Sequence, residues 1–228
     1  MTTFPLQPAL VLIDLDGTLI DSVPDLTFCV DAMMACLKRP PAGEALVRTW
    51  VGNGVETLVA RALTGTLHDT PDPLEYAQAY PIFLEFYAEH TCQRSRLYPG
   101  VREGLDWLVA NGYRLGCVTN KAARFTEPLL AHFQLCDYFQ LVISGDTVAE
   151  KKPSPLPLLH AAQFFNVNPA QSLMVGDSIS DVKAARAAGF AIICMSYGYN
   201  HGNDINATTP DAVIDSMIQL SQLLVASC

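Results

Sequence analysis

Six short apolar runs, each ending on or beside a polar residue or glycine, constrain this chain more than any other feature. They are ALVLID (9–14), RLGCVTN (114–120), LVISGD (141–146), SLMVGD (172–177), AIICMS (191–196) and DAVIDS (211–216). Segments with helical spacing separate the later ones, at 101–111, 122–134, 155–165 and 179–188. An apolar run without alternation reads as a strand buried on both faces. Parallel neighbours of that kind need a crossover, which a helix supplies. The pattern predicts an α/β fold with a Rossmann-like parallel-sheet core and helices on both faces.

One region breaks the alternation. From Ser22 to about Cys92 the periodicity is helical and no strand stands out. Ser22 is placed to cap a helix with Pro24 in its first turn. Val23, Leu26, Val30, Met33, Met34 and Leu37 then share one face. A second helical stretch, from about Leu46 to Leu63, is broken by Gly52, Asn53 and Gly54. A third, from about Leu74 to His90, carries Pro81, which is expected to kink or split it. The organisation this predicts is a core made of residues 1–20 and 95–228, and an inserted all-helical cap at 21–94. The hinges fall near Ile20–Asp21 and between Arg94 and Pro99.

Half of the residues are hydrophobic and 16% are charged, which suits a globular chain with a substantial core. The formal net charge of −9 disfavours nucleic acid as a partner. An anionic small molecule would need local positive charge. The 7 cysteines form no CxxC pair and are expected to be reduced. There is no signal-peptide pattern and no apolar run near the roughly 20 residues of a membrane helix. The expectation is a cytoplasmic protein, a monomer or homodimer, with no membrane partner.

In an open parallel sheet, ligands gather at the carboxyl ends of the strands. Three predicted strand ends carry reactive groups: Asp14 and Asp16 in DLDGT; Thr119, Asn120 and Lys121; and Asp177 in GDSISD, followed by Asp181. Lys151 and Lys152 precede Pro153 between the second and third. Singly, an aspartate here reads as a helix cap and a lysine beside proline as a solvated side chain. Jointly, an acid pair, a hydroxyl, a lysine and an acid, each at or after a strand, point to one site.

DLDGTLIDS, VTNK, KKPSPLP and GDSISD resemble the four motifs of the haloacid dehalogenase superfamily, in particular its Mg²⁺-dependent phosphatases with a helical cap after the first strand. The resemblance spans essentially the whole chain. WVGNGVETLVARAL, LYPGV, GDTVAEKKP and YGYN further resemble its bacterial phosphoglycolate phosphatase branch, which implies a small phosphorylated metabolite, 2-phosphoglycolate, as substrate. Another small phosphate ester, a sugar phosphomutase and a non-catalytic phosphate-binding module are the alternatives.

The resemblance also implies roles. Mg²⁺ would be held by Asp14, by the backbone carbonyl of Asp16 and by Asp177, with Asp181 supporting the site from behind. Asp14 would be the nucleophile and Asp16 the general acid and base. Thr119 would donate to a phosphoryl oxygen, Gly17 and Asn120 would contact the substrate, and Lys152, rather than Lys151, would balance the charge. For a carboxylate on the leaving group, donors are expected from the helix start at Gly52, Asn53 and Gly54, or from Arg48 and, after it, Arg61. No lysine lies between Arg39 and Cys92, which disfavours a Schiff-base relative. The presence of Asp16 disfavours a dehalogenase.

Overall fold

A computed structural model describes residues 7–224. In chain order the elements are β1 (Leu10–Ile13), β2 (Ile20–Asp21), α1 (Val23–Cys36), α2 (Glu44–Trp50), α3 (Val55–Thr64), α4 (Pro73–His90), β3 (Arg96–Leu97), α5 (Val101–Ala110) and β4 (Arg114–Val118). There follow α6 (Ala123–His132), β5 (Leu141–Ile143), α7 (Leu156–Phe165), β6 (Ser172–Gly176), α8 (Ile179–Ala188), β7 (Ala191–Met195), β8 (Ala212–Ile214) and α9 (Leu220–Leu223).

The main sheet has the order β5-β4-β1-β6-β7-β8, and every pairing in it is parallel. Side chains alternate across it. Val11, Ile13, Leu115, Cys117, Val175 and Ile193 pack on one face with Leu105 and Leu108 of α5 and Leu129 of α6. Leu10, Leu12, Val118, Met174 and Ile192 pack on the other with Leu158 of α7 and Val182 and Ala185 of α8. All four residues of β1 are fully buried. At about 1.5–3 kcal/mol for each large apolar side chain taken out of water, this central strand is among the strongest contributors to folding.

The segment between β1 and α5 forms a separate helical cluster. Val30 and Met33 of α1, Trp50 of α2, Val59 of α3, and Phe83 and Tyr87 of α4 share its interior. Two expectations change here. Pro81 neither splits nor ends α4, which runs unbroken from Pro73 to His90. A proline costs a helix one hydrogen bond, and here burial of Ala79, Phe83 and Tyr87 holds the helix together. Ser22 occupies the N-cap position of α1, but its side chain makes no capping bond.

Where the chain leaves and re-enters the core, Ile20 pairs with Leu97 and Asp21 with Arg96 in a two-stranded antiparallel ribbon. Nothing local in the sequence marks these two-residue strands. The return passage is pinned by the buried Asp25 carboxylate, which accepts from the amides of Arg94 (2.9 Å) and Ser95 (2.8 Å) and from Ser95 Oγ (2.6 Å).

The cysteines Cys29, Cys36, Cys92, Cys117, Cys136 and Cys194 are all free thiols, and Cys228 lies outside the described residues. Among the described residues no helix is long and apolar enough to cross a membrane.

Candidate active site

β1 lies between β4 and β6, so the direction in which strands are added reverses at β1. A crevice opens outside the carboxyl ends of these three strands. Asp14 follows β1, Thr119 follows β4 and Asp177 follows β6. Their backbones still track the sheet: Asp14 N donates to Val175 O and Thr119 N to Ile143 O, both at 2.9 Å. The chain then turns sharply. Leu15 O accepts from the amides of Leu19 (2.9 Å) and Ile20 (3.0 Å), and Gly17 sits at φ +87°. A Cβ on Gly17 would lie 2.3 Å from Asp177 Oδ2, so both conformation and space exclude a side chain there.

Asp14, Asp177 and Asp181 are buried, with one carboxylate oxygen of each within 4.8 Å of the others. Lys152 is the cation among them. Its Nζ lies 2.9 Å from Asp14 Oδ1 and 2.7 Å from Asp181 Oδ1, and it donates to Val118 O at 2.7 Å. Burial pushes the Asp14 carboxyl up to about 7; Lys152 pulls it down and Asp181 pushes it further up. Burial, then Asp181 and Asp14, hold Asp177 well above the usual carboxylate range. Three carboxylates around one ammonium leave the cluster short of positive charge. The adjacent Lys151 is half-exposed and reaches Glu56 of α3 at 3.6 Å.

Each acid is oriented. Leu15 N donates to Asp14 Oδ1 at 2.7 Å, on the same oxygen that meets Lys152. Thr18 Oγ1 donates to Asp177 Oδ1 at 2.9 Å, and Tyr199 N donates to Oδ2 at 2.5 Å. Asp181 Oδ2 accepts from Ser178 N, Ser178 Oγ and Asp177 N at 3.1, 2.7 and 3.2 Å. The α8 cap is thus the Ser178–Asp181 capping box, and Asp177 is free of that duty.

Asp14, Asp16, Thr119, Asn120 and Lys121 line one side of a cleft. Leu26, Val51, Gly52, Gly54, Val55 and Leu58 of the helical insertion line the other. Lys121 Nζ contacts both oxygens of Asp16, at 2.8 and 3.1 Å, and lies 5.2 Å from the centroid of the Tyr87 ring. Burial opposes the charge on Lys121, and the facing Asp16 carboxylate and Tyr87 outweigh it, so the ammonium is held above its ordinary range. Asn120 Nδ2 donates to Gly52 O (3.0 Å) and Lys152 O (2.9 Å), joining insertion and core. Asn53 Nδ2 reaches Ser180 Oγ at 3.4 Å.

Arg48 does not enter the cleft. Its guanidinium engages Asp21 at 3.2 and 3.3 Å and Glu44 at 2.7 Å, and these two carboxylates hold it away from the substrate side. Arg61 turns into the insertion instead, donating to Trp50 O and Leu67 O.

Sequence reasoning left two groups without a role. One is Lys121, and the scarcity of lysine (positions 38, 121, 151, 152 and 183) was the available signal. The other is the loop MSYGYNHG. Tyr197 Oη donates to Thr18 O at 2.8 Å and its ring stacks on Tyr98. Tyr199 Oη bonds to Asp21 and accepts from Val23 N, and His201 Nδ1 lies 2.8 Å from Thr49 O. Gly198 was the clue, since a Cβ there would lie 2.0 Å from Asp177 Cβ.

Residues 11–195 match the family model described as haloacid dehalogenase-like hydrolase. The chain is 61% identical over 218 residues to a protein of Nitrosococcus oceani named phosphoglycolate phosphatase, covering 96% of this chain and 97% of the relative. It is 46% identical over 224 residues to a protein of that name from Thiobacillus denitrificans, covering 98% and 99%. A crystal structure titled a predicted phosphoglycolate phosphatase from Haemophilus somnus superposes with a TM-score of 0.90 at 36% identity, covering 96% of this chain and 98% of that one.

Proposed function

The chain belongs to the haloacid dehalogenase-like hydrolase family, and from that premise we propose that it hydrolyses a small phosphate monoester, 2-phosphoglycolate, to glycolate and phosphate. The observation that carries this reading is the convergence of Asp14, Asp16, Thr119 and Lys121 from two strand ends on one cleft, with Asp177 and Lys152 directly behind. The substrate follows the name shared by relatives that match nearly the whole chain.

The residues suit a hard divalent cation. Asp14, Asp177 and Asp181 offer oxygen donors within reach of one another, and their summed charge exceeds that of Lys152. Mg²⁺ takes oxygen ligands of this kind. Asp14 and Asp177 would hold it, with the Asp16 carbonyl. Asp181, with Oδ1 on Lys152 and Oδ2 on Ser178 and Asp177, would brace them. When bound, the ion supplies charge neutralisation between the Asp14 carboxylate and the phosphate dianion.

The chain's own groups then do the following. Asp14 Oδ2 attacks phosphorus, forming an aspartyl-phosphate as the bond to the leaving oxygen breaks. Asp16 gives its proton to the departing alkoxide. It then takes a proton from the water that attacks the aspartyl-phosphate, which frees phosphate and regenerates Asp14. Thr119 Oγ1 donates to a phosphoryl oxygen and Lys152 offsets the charge beside Asp14, whereas the Gly17 amide is taken by Ile20 O. Gly52, Asn53 and Gly54 close the cleft over the substrate, and Asn120 ties that loop to the core.

The test is phosphate release from a panel of small phosphate esters with Mg²⁺ and with EDTA. Metal-dependent release with preference for 2-phosphoglycolate is expected. Preference for another ester would overturn the substrate, and isomerisation without release would overturn the reaction.

A further inference from the structure

The helical insertion brings no charged side chain to the cleft. Its lining residues are Leu26, Val51, Gly52, Gly54, Val55 and Leu58. Its nearest candidates, Arg48 and Arg61, are committed to Asp21 and Glu44, and to Trp50 and Leu67. The start of α3 has no side-chain cap, but Glu56 in its first turn places a negative charge there. Lys152 lies behind Asp14 and does not line the cleft. Among the described residues, the one cationic side chain that lines it is Lys121, on the core.

We propose that Lys121 is the receptor for the charged part of the leaving group. Its ammonium binds the carboxylate of a phosphorylated hydroxy acid and so sets the preference for such esters over esters of neutral alcohols. This rests on the phosphatase reading above and assigns its selectivity to one residue.

Position is the first argument. Lys121 Nζ touches both oxygens of Asp16, and in the proposed reaction Asp16 must face the leaving oxygen. In a two-carbon hydroxy acid the carboxylate is separated from that oxygen by a single methylene. An ammonium within reach of one is within reach of the other.

Charge is the second argument. The cleft is lined by Asp14 and Asp16, which repel a carboxylate. An ammonium has three donors, so it can meet a second carboxylate without leaving Asp16. At 5% exposure the contact is shielded from water, where a charge pair counts for more than on a surface.

Rigidity is the third. Lys121 N donates to Thr119 Oγ1 at 3.2 Å, and its carbonyl accepts from Gly145 N (2.8 Å) and Thr126 Oγ1 (3.2 Å). Asp16 and the Tyr87 ring hold the ammonium at the other end. A lysine fixed at both ends gives up little conformational freedom on binding.

The experiment compares kcat/KM for 2-phosphoglycolate and for ethyl phosphate, a neutral-alcohol ester of similar size, in wild type, Lys121→Met and Lys121→Arg, with Mg²⁺. Wild type should prefer 2-phosphoglycolate. In Lys121→Met that preference should fall by about 30-fold or more, the scale of losing a buried charge contact. Lys121→Arg should retain most of it. Inhibition by glycolate should weaken in Lys121→Met, and inhibition by inorganic phosphate should weaken far less. Equal losses on both esters, or a preference that survives Lys121→Met, would overturn the assignment and leave the phosphatase reading standing. A wild type without preference for 2-phosphoglycolate would overturn the substrate proposed above and, with it, the inference.

Discussion

The ammonium of Lys152 stands 2.9 Å from Asp14, on the same carboxylate oxygen that accepts the Leu15 amide. Both contacts therefore fall on Oδ1, and Oδ2 has no hydrogen-bond partner among the described residues. One oxygen is anchored and the other remains available for attack. Asp14→Asn, nearly identical in shape, should lower kcat by at least about a thousandfold, the scale for removing a nucleophile, with an unchanged circular dichroism spectrum. Lys152→Met should lower kcat and also destabilise the fold by about 3–5 kcal/mol in urea denaturation, because Asp14 and Asp181 lose their buried counter-charge.

Removing or supplying the metal should be visible without any substrate. The acid cluster exceeds its counter-charge, so a divalent ion is expected to bind the folded state in preference to the unfolded one. Mg²⁺ at about a hundred times its dissociation constant should stabilise the protein by about 2.7 kcal/mol. Differential scanning calorimetry with Mg²⁺ and with EDTA checks this. Asp177→Asn should largely abolish the difference.

Much of this arrangement was legible in the sequence, for a physical reason. Buried parallel strands are apolar from end to end, and the polar residue that ends each run is the one the sheet presents at its carboxyl edge. Asp14, Thr119 and Asp177 could be found that way. The ribbon of Ile20–Asp21 with Arg96–Leu97 could not, because it pairs four residues across the entire helical insertion. Arg48 was expected over the substrate because a cap arginine suits a carboxylate; its place is decided by Asp21, whose nearness to α2 is tertiary. Lys121 and Tyr199 stood in plain view, but their roles depend on contacts with Asp16 and Asp177 that no spacing rule encodes.

Asp25 should matter more to stability than to rate. Its carboxylate is fully buried and accepts two backbone amides and a hydroxyl from the returning chain. Asp25→Ala leaves those donors without a partner and should cost about 2–4 kcal/mol in urea denaturation. The surviving folded fraction should keep its KM.

Thiol chemistry should divide the cysteines sharply. Burial, then the nearby Asp25, pushes the Cys29 thiol up to about 12, so at pH 8 it is almost wholly protonated and unreactive. Cys36 and Cys136 are exposed. Maleimide labelling followed by peptide mapping should modify Cys36 and Cys136 within minutes at pH 8. Cys29 should react only after denaturation.

The ribbon at the root of the helical insertion has a wider consequence. Since Ile20 faces Leu97 and Asp21 faces Arg96, everything from Ser22 to Ser95 is topologically the loop of one β-hairpin. Along the backbone the sheet core meets that loop at its two ends, held side by side, while side chains such as Asn120 on Gly52 O cross between the two. Such an architecture is modular. An insertion of another length or shape could be exchanged at the same stem without shifting a strand, so the roof of the cleft can evolve on a separate schedule from the chemistry, and from Lys121, below it. Tyr199 limits that freedom: it bonds to Asp21 in the stem and to Asp177 in the acid cluster, so a new insertion must leave that tyrosine its seat.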